Sequence, residues 1–221
     1  MNDAYVINLK HRTDRWKKMK SKWNSFLNLI RVEGIILPKD ERPNKYRASE
    51  GLGLTHMKLI QEAKARGQQT ILILEDDAVP EPNFMKRWTE LKAYLDTHLE
   101  EWEVFNGGVH FLRHYHNVQE LNNSVLITGN LACAGHFIYL NLNAMDTFLL
   151  WEEEKLDIDM FYCNQKLVCS YPLLAKQEDD TSDIILEERK WDYTYQQNEL
   201  EFYKNLQRLY LKYKLTSSVS S

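Results

Sequence analysis

Residues 70–80 of the chain, Thr-Ile-Leu-Ile-Leu-Glu-Asp-Asp-Ala-Val-Pro, decide how the fold is read. The four consecutive apolar residues from Ile71 to Leu74 form a run of the kind buried on both faces of a parallel sheet. The run ends in three adjacent acids, Glu75, Asp76 and Asp77, with Pro80 just beyond. Neighbouring carboxylates repel one another, so the triplet is costly unless a cation, or a metal already bound to phosphate, sits among them. The carboxyl ends of strands are also where open α/β sheets bind ligands. The plainer reading is a solvated acidic turn leading into a helix that begins near Pro82.

Outward from this strand, residues 4–9 read as a first strand, followed by a basic segment over 10–22. From Asp14 onward Trp16, Met19, Trp23, Phe26, Leu27 and Ile30 recur at three- and four-residue steps, which predicts a helix with Thr13 or Asp14 as its N-cap. Residues 31–37 give a second strand, broken by Pro38, and 39–47 a charged surface loop. A second helix over 50–66 turns Leu54, Met57, Leu59, Ile60 and Ala63 inward and stops at Gly67. After the strand at 70–74 comes a helix over 82–98 with Phe84, Trp88, Leu91 and Leu95 on one face. This strand–helix alternation predicts a parallel sheet flanked by helices on both faces. Beyond Trp102 the pattern loosens. Strands at 104–106 and 125–128 flank a His-rich loop, and a strand at 135–140 runs into a helix at 143–153. A short helix at 157–162, an extended stretch at 167–172, an acidic loop at 177–183 and an aromatic helix at 195–214 follow. The expected organisation is one domain over 1–215, with a nucleotide-binding half (1–102), an acceptor half (103–215) and a tail or linker stub at 216–221.

With 221 residues, 43% hydrophobic and 27% charged, the chain can bury one substantial core. A net charge of −4 argues against a nucleic-acid surface. Cys133, Cys163 and Cys169 form no CxxC pair, which fits a reducing compartment and leaves no cysteine-based zinc site. Neither a signal-peptide pattern nor an apolar run of about 20 residues occurs, so the expectation is a cytoplasmic protein without a transmembrane segment, or a domain cut from a larger one.

Five constellations could carry chemistry. Asn8, Leu9, Arg12 and Arg15 stand at a strand-to-helix junction, where guanidinium groups can clamp a diphosphate; solvated arginines are the bland alternative. Gly51 and Gly53, ahead of Thr55 and His56, could open a helix onto a phosphate, though no Walker lysine follows and a lone histidine such as His56 is more often a hydrogen-bonded core residue than a ligand. The acid triplet suits Mg²⁺ or Mn²⁺, which take one or two carboxylates plus substrate phosphates. Asp157 and Asp159 offer a general base or an N-cap. The loop at 177–183 is either solvated or a source of a late ligand, with Asp180 and Asp183 as further carboxylates. His110, His114 and His116 lack HExxH spacing, so a zinc site is not expected.

Taken in order, Tyr5-Val-Ile-Asn-Leu with Arg12-Thr-Asp-Arg15-Trp16, Gly51 with Thr55-His56, and Ile73-Leu-Glu-Asp-Asp77 resemble the lipopolysaccharide-type glycosyltransferases of family 25, which include collagen galactosyltransferases. Leu52 and Thr55 stand where the family usually has Cys and Ser. Residues 134–144, Asp157 with Asp159, and Gln177 with Ser182-Asp183-Ile184 are looser matches. The compact chain also looks like domains that large algal viruses use to glycosylate capsids, which would place it in host cytoplasm. The resemblance implies a GT-A fold, a nucleotide-sugar donor (a UDP-sugar), Mn²⁺ or Mg²⁺, a glycan or glycoprotein acceptor, and inverting transfer. By position it implies that Asp77 and Glu75 bind metal. Asn8, Leu9, Arg12, Arg15, Thr55, His56, Glu75 and Asp76 would contact the donor, and Asp159, with Asp157 next, would be the base. Two competing readings are a Mg²⁺-dependent phosphotransfer or phosphohydrolase domain, which usually needs an Asp where this chain has Asn8, and a sugar-binding remnant without chemistry.

Overall fold

The computed structural model describes residues 2–178 together with Lys204 and Arg208, both helical. The remainder of the expected helix at 195–214, residues 179–183 of the acidic loop and the 216–221 tail lie outside the described residues.

The chain begins with β1 (Asn2–Asn8), α1 (Thr13–Trp23), β2 (Leu27–Glu33), α2 (Asn44–Ala65) and β3 (Thr70–Glu75). There follow β4 (Ala78–Pro80), α3 (Phe84–Thr97), β5 (Val104–Asn106), β6 (Phe111–Glu120), β7 (Val125–Cys133) and β8 (Phe137–Asn141). A 3₁₀ turn (Leu142–Ala144) leads into α4 (Met145–Leu149), α5 (Trp151–Glu154), α6 (Ile158–Tyr162), β9 (Leu167–Tyr171) and β10 (Ala175–Gln177). Eight strands make one sheet in the order β2-β1-β3-β8-β5-β9-β7-β6, and β4 pairs with β10 beside it. The pairings leave only β8 and β7 running against the other six strands. The fold is therefore α/β, with a mixed, mostly parallel sheet, as expected. None of the described helices is long and apolar enough to cross a membrane.

Strand alternation divides the core between the two faces of the sheet. Tyr5, Ile7, Ile71 and Ile73 pack with Met57, Ile60 and Ala63 of α2 and with Phe148, Trp151 and Phe161. Ala4, Val6, Leu72 and Leu74 pack on the other face with Met19 and Trp23 of α1 and with Phe84, Trp88, Leu91 and Leu95 of α3.

Several element boundaries differ from the expectation. α1 ends at Trp23, and Leu27 begins β2, paired in parallel with Asn2. The helical spacing ran on through Leu27 because that residue enters the same core as Met19 and Trp23 from a strand. Arg12, not Thr13 or Asp14, is the N-cap, and no side chain caps α1. β2 stops at Glu33, so residues 35–37 leave the sheet. α2 begins at Asn44 behind Pro43, inside the segment expected to be a loop. The His-rich loop is strand β6, and the helix expected over 143–153 is broken into the 3₁₀ turn, α4 and α5. Gly67, at φ +74, ends α2 as expected.

Candidate active site

The carboxyl ends of β1, β2 and β3 open onto one cleft of about 730 Å³. Strand order explains its position. From β1 the chain goes to β2 on one side, then crosses to β3 on the other. A reversal of this kind parts the two connections and leaves a crevice. Ile7, Asn8 and Leu9 line it from β1, residues 34–37 from the segment after β2, and Glu75, Asp76 and Asp77 from the end of β3. His110, Gly135, Asp157, Asp159 and Gln177 come from the second half.

The three consecutive acids have different roles. Asp76 turns back towards the sheet end, where Oδ1 accepts from Arg15 Nη1 at 2.7 Å and Oδ2 from Asn8 Nδ2 at 2.5 Å. Asn8 also accepts from Arg31 Nε at 2.8 Å, so one polar network, buried at Asn8, Arg15 and Asp76 and open to solvent at Arg31, ties β1, α1, β2 and the β3 turn together. Asp77 Oδ2 accepts from Gln177 Nε2 at 2.8 Å, while its buried Oδ1 has no hydrogen-bond partner among the described residues. Burial pushes the Asp77 carboxyl up to about 6, although the Gln177 bond works against the shift. Glu75 is pushed well above the usual carboxylate range by burial and then by Asp77 and Asp159.

Asp159 reaches this cluster from the far wall. A β-carbon on Gly135 would lie 2.4 Å from Glu75 Oε1 and 2.5 Å from Asp159 Oδ1, so the two carboxylates face one point over a bare backbone. Asp157 is the N-cap of α6. Its Oδ1 accepts from the Asp159 N–H at 3.1 Å, and its Oδ2 accepts from Ser49 Oγ at 2.9 Å.

A hard divalent cation fits these donors. Among the described residues Asp77 Oδ1 is buried without a hydrogen-bond partner, and the charge crowded around Glu75 is what a cation would relieve. Among the described residues no three His, Cys, Asp or Glu side chains form a ready cage. Mg²⁺ or Mn²⁺ does not need one, since either completes a shell of one or two carboxylates with water and substrate phosphate.

Of the residues expected at the donor, Asn8, Leu9, Arg15 and Thr55 line the cleft, whereas Arg12 and His56 do not. Arg12 forks onto Asp14 at 3.2 Å. Arg15 faces inward onto Asp76, and Asp76 is a counter-charge to it. Thr55 Oγ1 donates to Gly51 O and accepts from the Ile35 N–H, pinning the 34–37 wall to α2. His56 is fully buried with Nδ1 3.0 Å from Tyr162 Oη, and burial lowers its pKa to about 3, so the ring is neutral. Gly51 and Gly53 do not open a helix onto phosphate. They lie inside α2, where close packing excludes a side chain. A β-carbon would meet Ile35 O at 2.3 Å from Gly51 and the Trp151 ring at 2.0 Å from Gly53.

The sequence reading missed Gly135, His110 and the 34–37 wall. An isolated glycine just ahead of a strand, a known mark of close backbone approach, was the available signal for Gly135. His110 stacks on the buried His136 with ring centroids 5.7 Å apart.

No family model and no curated protein matches the chain by sequence. Among solved structures it is similar to A197 from STIV, at 13% identity and a TM-score of 0.43 over 81% of this chain and 87% of that one. It is also similar to a glycosyltransferase involved in the glycosylation of the major capsid of PBCV-1, at 11% identity and a TM-score of 0.47 over 89% and 98% of the two chains.

Proposed function

We propose that the chain is a metal-dependent glycosyltransferase, taking a sugar from a UDP-sugar to a hydroxyl of a glycan or glycoprotein. One observation carries the reading: Glu75 and Asp77 at the end of β3 and Asp159 at the start of α6 converge on one cleft at the switch point of the sheet. The resemblance to family 25 of residues 5–16 and 73–77 points the same way. The phosphotransfer alternative is disfavoured because Asn8, where a nucleophilic Asp would stand, is hydrogen-bonded to Asp76 and Arg31.

In this reading Asp77 and Glu75 hold the cation, which when bound neutralises charge on the donor diphosphate. The 34–37 wall and the end of β1 bound the nucleoside side of the cleft. A carboxylate oxygen of Asp159 takes the acceptor hydroxyl proton as that oxygen bonds to the anomeric carbon. The bond from this carbon to the diphosphate oxygen breaks, and its electron pair leaves with the nucleotide. A single in-line displacement inverts the anomeric centre.

The test is nucleotide release from a panel of UDP-, GDP- and CMP-sugars with Mn²⁺. UDP-sugars should release nucleotide, and Asp159→Asn should lower transfer of the sugar to an acceptor hydroxyl by roughly 10²–10⁴-fold without weakening nucleotide binding. A wild-type protein inert towards every donor would overturn the proposal.

A further inference from the structure

We infer that one stripe of α2, formed by Ser49, Gly53 and His56, positions the Asp159 carboxylate for transfer; the inference rests on Asp159 being the base. These residues are spaced i, i+4, i+7, which places them on one face of the helix. Each meets the segment that carries Asp159. Ser49 Oγ donates to Asp157 Oδ2 at 2.9 Å, and Asp157 in turn accepts from the Asp159 N–H. Gly53 leaves room for the buried Trp151 ring, and Trp151 Nε1 donates to Leu156 O at 2.7 Å, just ahead of α6. His56 Nδ1 is 3.0 Å from the hydroxyl of Tyr162, at the far end of the same helix.

Three anchors on so short an element need a reason. α6 has five residues, too few to hold itself helical or to fix its own direction. Its placement is therefore set by what it touches, and Asp159 lies between the Asp157 and Tyr162 anchors. The target is narrow: Asp159 Oδ1 must stop over Gly135 opposite Glu75, where a single β-carbon would already collide with it. Misplacing a reacting group by about 1 Å can cost on the order of 100-fold in rate. Ser49, Gly53 and His56 are thus positioning residues acting through Asp157, Trp151 and Tyr162. None of the three lines the cleft. Within the Gly-x-Gly-x-Thr-His segment the roles divide: Gly53 and His56 serve α6, while Gly51 and Thr55 hold the 34–37 wall.

The test compares wild type with His56→Leu, which removes the bond to Tyr162, His56→Asn, which offers an amide near the place of Nδ1, and Ser49→Ala, a half-buried change that keeps the fold if the His56 variants do not. Transfer to acceptor should fall 10- to 100-fold in His56→Leu and severalfold in Ser49→Ala, with donor KM and donor hydrolysis within twofold of wild type. His56→Asn should recover most of the loss. A merely structural role would lower transfer and hydrolysis together, in step with the folded fraction, and that result would overturn the inference. Amide exchange over residues 157–162 reads the seating of α6 without any turnover. It should accelerate at least tenfold in His56→Leu, and unchanged exchange would equally overturn the inference. Wild-type protein that turns over no sugar nucleotide overturns the glycosyltransferase reading instead, while the exchange result still judges the anchors.

Discussion

Arg15 Nη1 donates to Asp76 Oδ1 at 2.7 Å, with both side chains more than nine-tenths buried. The middle acid of the triplet is therefore an internal counter-charge, and its two neighbours are left to face the cleft. Removing one member of a buried pair strands the other charge, at a cost of about 3–5 kcal/mol. Arg15→Met should lose stability of that order in urea denaturation. A loss below 1 kcal/mol would mean that Asn8 alone satisfies Asp76.

The raised pKa of Asp77 gives a pH dependence with a definite sign. Its folded carboxyl, near 6, holds a proton more tightly than the ordinary carboxyl at 3.8. That stabilisation is complete below about pH 4 and is lost as the pH rises through about 6, a change of roughly 3 kcal/mol. Metal-free wild type should weaken across this window, with Glu75 acting in the same direction. Asp77→Asn should be flatter, and more stable than wild type at pH 7.5. Parallel denaturation curves for the two proteins at pH 4 and 7.5 decide it; identical slopes with pH would refute the assignment.

Gly135→Ala would place a methyl group 2.4 Å from Glu75 Oε1 and 2.5 Å from Asp159 Oδ1, distances that no carbon–oxygen contact tolerates. Both carboxylates must move, so turnover should fall at least 100-fold. Far-ultraviolet circular dichroism should stay that of wild type, because the collision involves two side-chain ends at a cleft. Wild-type turnover in this variant would show that the two acids need not face each other.

Gly53→Ala meets the rigid, buried Trp151 ring at 2.0 Å and has no such escape. Overpacking of this kind typically costs about 1–3 kcal/mol. A thermal midpoint within 1 °C of wild type would show that Trp151 has another place to go.

The first half of the fold was legible because its apolar runs report burial directly. Ile71 to Leu74 are buried on both faces, and Trp88, Leu91 and Leu95 keep helical spacing against one face of the sheet. Boundaries were less legible where two elements share a core, as where Leu27 continued the spacing of α1 from inside β2. Within the site, Glu75 and Asp77 could be read from the strand end and Asp159 from its short acidic turn. The different role of Asp76 could not, since it depends on Arg15 arriving 61 residues away in sequence. Gly51 and Gly53 were misread for a related reason, as was the donor contact that the resemblance implied for His56, a buried core histidine. Their local pattern resembles a phosphate loop, whereas their partners, Ile35, Trp151 and Tyr162, are fixed only by tertiary packing.

Calorimetric titration of UDP in the presence of Mn²⁺ or of EDTA tests the proposal that this cleft holds a nucleoside diphosphate through a cation on Asp77. Wild type should bind UDP with Mn²⁺ and at least tenfold more weakly with EDTA, and Asp77→Asn should bind weakly in both. Absence of UDP binding by wild type in Mn²⁺, or equal Mn²⁺-dependent binding by Asp77→Asn, would rule out a cation-bridged nucleotide on Asp77.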